Sequence, residues 1–374
     1  MARAPAVQEI EQLPEADRLD EFPHPRATKT LHGHATAERE LAHAFASGRM
    51  HHAWLITGRE GIGKATFAYR FARHALALPH ERDAKGERLE VSQTSIAYRQ
   101  VLALSHPGLL LIRRPWDHKT KKLLTVISVD EVRRLRNFLA HSTGSDAWRI
   151  VLVDQADEMN IAAANALLKS LEEPPARTIF LLVCSEPGRL LPTIRSRCRR
   201  LDLAPLSNAD LRNAALQAIG ATEAAGPPEA KAWPVLERLA EGSVRRLLLL
   251  SAAKGIELHQ RIMAQLTALP RLDWGTAHAL SDELAGAANL PRFELFYDLL
   301  LGELSRLIRT RTTGQGTPED LTLANRLIGE GRLVAWADLW ERIAREKAEA
   351  LALNLDRKAL ILEAFSGLAT AARR

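Results

Sequence analysis

The chain has 374 residues, 46% of them hydrophobic and 26% charged, enough apolar material for two or three domains at roughly 100 to 200 residues each. Its net charge of +6 and pI near 9.5 are compatible with nucleic acid, but the surplus is modest for this length and does not demand it. Two cysteines without paired spacing, Cys184 and Cys198, argue against a disulfide framework and cannot alone build a metal cluster. With no apolar run near the roughly 18 residues of a membrane span and no signal segment, a cytoplasmic protein is expected.

Residues 1–30 mix acidic side chains with Pro5, Pro14, Pro23 and Pro25, lack periodicity, and read as a flexible or surface-bound tail. Helical spacing begins at 37–45. An apolar strand over 52–57 then runs directly into Gly58-Arg59-Glu60-Gly61-Ile62-Gly63-Lys64-Ala65, and a helix resumes over 65–76. Strand, glycine loop and helix in that order are the setting of a phosphate-binding loop. Glycines let backbone N–H groups curl round a polyphosphate, a Lys reaches the terminal phosphates, and a final Ser or Thr holds Mg²⁺. Here Gly58, Gly61, Gly63 and Lys64 are present, but Ala65 stands where the hydroxyl belongs. A methyl group cannot ligate a hard cation that requires oxygen. Thr66 is one residue late, and a helical step of about 100° turns its hydroxyl away from the ion.

The stretch 79–107 is polar and then helical, and 109–113 (LLLIR) is a second strand. Ser128 and Glu131 have capping-box spacing and open an amphipathic helix to residue 139. A buried strand over 150–153, a helix over 160–171 stopped by Pro174-Pro175, and a third strand over 178–183 follow. Continuous apolar strands alternating with helices predict an α/β fold: a parallel sheet covered by helices on both faces. Beyond Leu203 the signals are helical. A Gly-Pro linker lies at 226–228, Trp336, Trp340, Ile343 and Lys347 form a core-packing stripe at helical spacing, and Asn354-Leu355-Asp356 precedes the last helix.

The strand at 149–153 ends in Asp154, an acid at the carboxyl edge of the sheet where it can hold Mg²⁺ through water. Asp157 and Glu158 read as solvated or capping acids on the connection to the next helix. Pro187-Gly188-Arg189-Leu190-Leu191-Pro192-Thr193-Ile194-Arg195-Ser196-Arg197-Cys198 resembles the Ser-Arg-Cys stretch of clamp-loader AAA+ subunits. The glycine loop after His52-Ala53-Trp54-Leu55, the run from Asn165 to Pro175 and Gly242-Ser243-Val244-Arg245 are similar to the same family, so the resemblance covers about residues 31–250.

That resemblance implies an AAA+ P-loop domain over 31–203, a small helical lid over 204–255 and an all-α collar domain for oligomerisation over 256–374. It implies an arginine finger at Arg197, beside Ser196, offered in trans to a neighbour's ATP. Arg suits that task because its rigid charged fork stabilises a transferring phosphoryl group. Arg245 matches the second sensor arginine, and Ser185 is the polar group near the first sensor position. Such ATPases follow the strand-end Asp with a Glu that orients water, where this chain has Gln155. Losing a positioned base typically costs about 10² to 10⁴ in rate. Ala65 and Gln155 therefore place the chain with the family's silent members: ATP or ADP held without hydrolysis, no intrinsic ATPase, and no zinc, since the family's four-cysteine module is missing from 79–107. The implied partners are the motor (gamma/tau) and delta subunits of the DNA polymerase III clamp loader, with the sliding clamp and primed DNA met through the complex. Two other readings stay open: an active AAA+ ATPase, and a basic DNA-binding protein using Arg133, Arg134 and Arg136.

Overall fold

The computed structural model describes residues 14–19, 21–83, 86–140, 147–222, 226–286, 289–353 and 355–373. In chain order the first half comprises α1 (Ala35–Ala46), β1 (Ala53–Thr57), α2 (Lys64–Leu76), α3 (Ile96–Leu102), β2 (Leu109–Ile112), β3 (Trp116–Asp117), β4 (Lys122–Leu123), α4 (Val129–Ala140), β5 (Arg149–Val153), α5 (Ile161–Glu172), β6 (Thr178–Cys184), α6 (Pro192–Arg195) and β7 (Arg199–Asp202). Nine helices follow among the described residues: α7 (Asn208–Ile219), α8 (Trp233–Ala240), α9 (Val244–Ala252), α10 (Gly255–Ala268), α11 (Trp274–Ala285), α12 (Leu290–Thr313), α13 (Pro318–Leu327), α14 (Leu333–Leu353) and α15 (Arg357–Arg373).

Five strands form one parallel sheet in the order β2-β5-β6-β1-β7. Its two faces explain the unbroken apolar strands. Successive side chains point to opposite faces, so Trp54, Ile56, Ile150, Leu152, Leu181 and Val183 pack with Phe67, Phe71 and Leu41 on one side. Ala53, Leu55, Val151, Val153, Phe180 and Leu182 pack with Leu135, Leu167 and Leu171 on the other. Each such side chain contributes about 1.5–3 kcal/mol by leaving water, and the sheet is fixed with its strand ends in one row. Sharp caps set the connecting helices. The Asn160 side chain accepts the N–H of Ala163 at 2.8 Å to open α5, and Ser207 accepts that of Asp210 to open α7.

Several elements differ from the sequence expectation. β7 reads as a basic cluster, yet it pairs with β1 as an edge strand: Arg199, Arg200 and Asp202 face solvent and Leu201 alone is buried. The β3-β4 hairpin lies in a stretch without strand signals. Among the described residues of 79–107 only α3 is an α-helix. Ahead of it the Arg82 guanidinium sits 4.9 Å from the Phe45 ring and donates to the carbonyls of Ala75 and Ala77, holding the stretch as a loop. Α4 opens one residue after Ser128 as expected, but Glu131 pairs with Arg134 at 2.7 Å. Of the tail read as flexible or surface-bound, residues 14–19 and 21–30 are docked, with Phe22 only 3% exposed and Asp17 and His24 buried in ion pairs. Residues 1–13 of that tail, and Asn354 of the motif before α15, lie outside the described residues.

The chain divides into two compact units: 1–227 with 240–246, and 228–239 with 247–374. The division runs through the expected lid, because the turn at Gly242 belongs with the first unit: Leu206 N–H donates to the Gly242 carbonyl at 3.2 Å. In the second unit Phe293, Phe296, Tyr297 and Phe365 stack edge-on and tilted in the core. The tryptophan stripe faces α12: Trp336 and Ile343 are buried, the Trp340 indole donates to the Leu301 carbonyl at 2.9 Å, and Lys347 meets Asp298 at 2.6 Å. Among the described residues no helix is long and apolar enough to cross a membrane.

Candidate functional site: the glycine loop and its surroundings

β1 delivers the chain to the carboxyl edge of the sheet, and Gly58, Gly61 and Gly63 then adopt φ of 145°, 76° and 104°. These left-handed angles, which other residues rarely reach, turn the backbone N–H groups toward one concavity at the start of α2. Close packing reinforces the requirement, since a Cβ at Gly61 would lie 2.5 Å from that of Arg245. His34 braces the loop from the far side. Its Nε2 is 2.8 Å from the Ile62 carbonyl, an acceptor, so Nε2 carries the proton.

Lys64 opens α2 and is buried, which lowers its pKa, while Asp157, Glu60 and Asp154 pull the other way. Its ammonium donates to the carbonyls of Gly58 and Arg59, at 2.7 Å each, and to Ser185 Oγ at 2.9 Å. All three protons are therefore committed, so a phosphate at this loop would have to replace bonds the loop makes to itself. Arg245 is brought to the same place: its N–H donates to the Gly61 carbonyl and its Nε lies 3.3 Å from Glu60. Arg59 pairs with Glu241 at 2.7 Å. Asp157 caps a turn, as one of the two expected readings had it. Its Oδ2 accepts the N–H groups of Ser185 (3.2 Å) and Glu186 (2.9 Å), which fixes the turn after β6 and so aims Ser185 at Lys64. Glu158 is paired with Arg114 at 2.7 Å.

Asp154 is engaged by residues the sequence did not single out. Its Oδ1 accepts the Gln155 N–H at 3.1 Å, while Oδ2 is buried with no N–H or O–H donor in reach. Asp17 is its acidic neighbour, and the two carboxyls disfavour each other's charge. Arg113 reaches Asp17 at 2.6 Å, His24 at 2.7 Å and the Tyr69 hydroxyl at 3.2 Å; His24 and Arg113 hold its pKa low against the burial that would raise it. The Asp154 pKa is raised well above the carboxylate range, first by burial and then by Asp17. His24 is neutral, because its Nδ1 accepts the Arg26 N–H while Nε2 faces Asp17. No local pattern in the acidic, proline-containing segment announces Asp17. Arg113, a charge ending a buried strand, is the available hint that an acid must meet it.

ATP with Mg²⁺ is the group such a loop implies. The polyphosphate half of the fit holds in the glycine concavity, Lys64 and Arg245. The metal half does not: the Ala65 methyl packs against the sheet core, and Gln155 at φ 53° carries no acid. Thr66 lies in the first turn of α2, half-buried.

Arg197 and Ser196 are not brought to this loop. Arg197 is 35% exposed, pairs with Glu172 at 2.8 Å at the end of α5 and donates to the Thr193 carbonyl at 3.0 Å. Ser196 Oγ donates to the same carbonyl at 3.1 Å, closing the turn after α6. Cys184 and Cys198 are free thiols, each pushed up to about 12 chiefly by burial.

Residues 33–207 match the family described as DNA polymerase III, delta subunit. A DNA polymerase III subunit delta' from Pseudomonas aeruginosa is 38% identical over 39% of this chain and 41% of its own length. The subunit delta' of Escherichia coli is 37% identical over 44% of each chain, and a subunit gamma from Buchnera aphidicola is 28% identical over 50% and 48%. The matched stretch thus spans less than half the length of each relative.

Proposed function

Since the chain belongs, through residues 33–207, to the DNA polymerase III delta subunit family of clamp-loader AAA+ proteins, we propose that it is the delta' subunit of that loader. In this role it does not hydrolyse ATP itself, and it supplies Arg197 in trans to the ATP of a neighbouring motor subunit. The observation that carries the reading is a separation of parts. The loop of this chain lacks a metal-binding hydroxyl and a water-orienting acid, while Arg197 stands half-exposed on a different edge, held only by Glu172 and a carbonyl. A guanidinium so placed has exchangeable partners, and an approaching phosphoryl group is a stronger one.

The proposed partners are the motor (gamma/tau) and delta subunits, with the sliding clamp and primed DNA reached through the assembled ring in the cytoplasm. Gly58, Gly61, Gly63, Lys64 and Arg245 would hold ATP or ADP without turning it over. The collar role of 256–374 and the three-domain division belong to the same proposal. The gamma-subunit match and the intact Gly58–Lys64 loop favour the second reading, an active ATPase; Ala65 and Gln155 weigh against it. Replacing Arg197→Ala and measuring ATP hydrolysis by the reconstituted complex tests the first. Turnover falls by about 10³ or more at the site it serves, with assembly intact; unchanged turnover in an assembled complex would remove the finger assignment.

A further inference from the structure

We infer that the tip of the β3-β4 hairpin holds the phosphate backbone of duplex DNA without reading its sequence. The inference goes beyond the proposed function, which assigns DNA no residue of this chain, and it depends on neither the glycine loop nor Arg197. The hairpin runs Trp116-Asp117-His118-Lys119-Thr120-Lys121-Lys122-Leu123, with Trp116 opposite Leu123 and Asp117 opposite Lys122. Its turn is built around one acid. Asp117 accepts the Lys119 N–H at 2.9 Å and the Thr120 hydroxyl at 2.7 Å, and Lys121 turns the chain back at a left-handed φ of 51°. The carboxylate is thereby engaged with the turn itself. Lys119, Lys121 and Lys122 stand exposed, and none of them makes an ion pair among the described residues, although Lys122 is opposite Asp117 in register.

Other basic stretches of the same unit neutralise themselves. On α4 Arg133 pairs with Asp130 and Arg134 with Glu131, at 2.7 Å each; on β7 Arg199 pairs with Glu40 at 2.8 Å and Arg200 with Asp202 at 2.7 Å. An exposed cation that already has a partner gains little by exchanging one anion for another. Unpaired like charges on one turn repel each other, and a polyanion relieves that repulsion. Duplex DNA presents one charge per about 3.4 Å of axis along each strand, close to the rise of one residue in a β-strand, so neighbouring lysines can each meet a phosphate. The lysine ammonium is a point charge on a flexible stem, which suits phosphate contact; reading a base edge favours the flat fork of arginine. An acidic protein is the other polyanion, but protein interfaces close over an apolar core. The tip residues His118, Lys119, Thr120 and Lys121 are all polar, and the exposed Leu124 and Val126 lie beyond β4.

The test is fluorescence anisotropy of a labelled DNA duplex titrated with the full chain over a series of salt concentrations. The variant Lys119→Gln/Lys121→Gln/Lys122→Gln changes only exposed side chains and leaves Asp117 to close the turn. It should weaken Kd about tenfold or more at low salt and lower the slope of log Kd against log salt by about 2 to 3, because each phosphate contact contributes about 0.9. Replacing the same lysines with arginine keeps the charge and should hold Kd within about threefold. Arg133→Gln/Arg134→Gln, which removes paired cations, should also stay within about threefold. The proposal is overturned by wild type that does not bind, by a glutamine variant that binds within about twofold of wild type or keeps its slope, or by an equal loss in the α4 control. Polyglutamate, whose charges are spaced more widely than the one per about 1.7 Å of duplex DNA, should displace the chain about tenfold less effectively than unlabelled duplex at equal charge. Equal displacement would make the hairpin a site for an acidic polypeptide and remove the DNA assignment. None of these outcomes bears on the Arg197-dependent hydrolysis of a neighbour, so the two readings fail separately.

Discussion

Ala65 and Gln155 stand where a metal-binding hydroxyl and a water-orienting acid would be needed, and both bear on the same step. Restoring them with Ala65→Ser/Gln155→Glu should raise ATP hydrolysis by the purified chain by about 10²-fold in a steady-state assay, whereas background turnover in a folded variant would contradict that account. His74 makes a separate residue-level prediction. Burial lowers its pKa to about 4 from an ordinary 6.5, so the folded chain keeps it neutral while the unfolded chain protonates it. Stability is full above pH 6.5 and falls as pH drops from 6.5 toward 4. At about 1.4 kcal/mol per pH unit the loss approaches 3 kcal/mol. Denaturation of wild type against His74→Gln at pH 7 and 4.5 should show the variant gaining relative stability at the lower pH. The glycine loop was legible from sequence because its geometry is local. The Asp17, His24 and Arg113 cluster was not, because it joins a segment without periodicity to the end of β2, and only folding makes them neighbours.

At the scale of elements, β6 is the central strand whose seven residues are all buried. Leu181→Ala should cost about 2–5 kcal/mol of unfolding free energy, read from the denaturant midpoint, because neighbours on both sides of the sheet prevent the cavity from closing. Asn160→Ala removes a side-chain cap and should cost about 1 kcal/mol by the same measurement. Buried strands such as β1, β5 and β6 were readable because both faces demand apolar residues. The edge strand β7 was not, since three of its four residues face water and its identity rests on pairing with β1. The loop ahead of α3 escaped for a related reason: Arg82 holds it through backbone carbonyls and a ring, contacts that leave no spacing signature.

Over the whole molecule, the first unit carries the glycine loop and Arg197, and the second is a helical bundle with its own aromatic core. The sequence anticipated the helical second half, but the turn at Gly242 shifts the boundary. A Cβ there would meet Pro205 at 2.6 Å and the Leu206 backbone at 2.7 Å, at a φ of 79°, which keeps Ser243 and Arg245 with the loop they touch. In the proposed function, parts that an active ATPase needs together are divided: Ala65 and Gln155 stand where a hydroxyl and an acid would be needed, while Arg197 pairs with Glu172. The most direct test of that division is to measure ATP binding and ATP hydrolysis on the same purified chain, alone and with the motor subunit added. The account predicts binding without turnover alone, and turnover that appears with the motor subunit and depends on Arg197. Robust hydrolysis by the chain alone would contradict it.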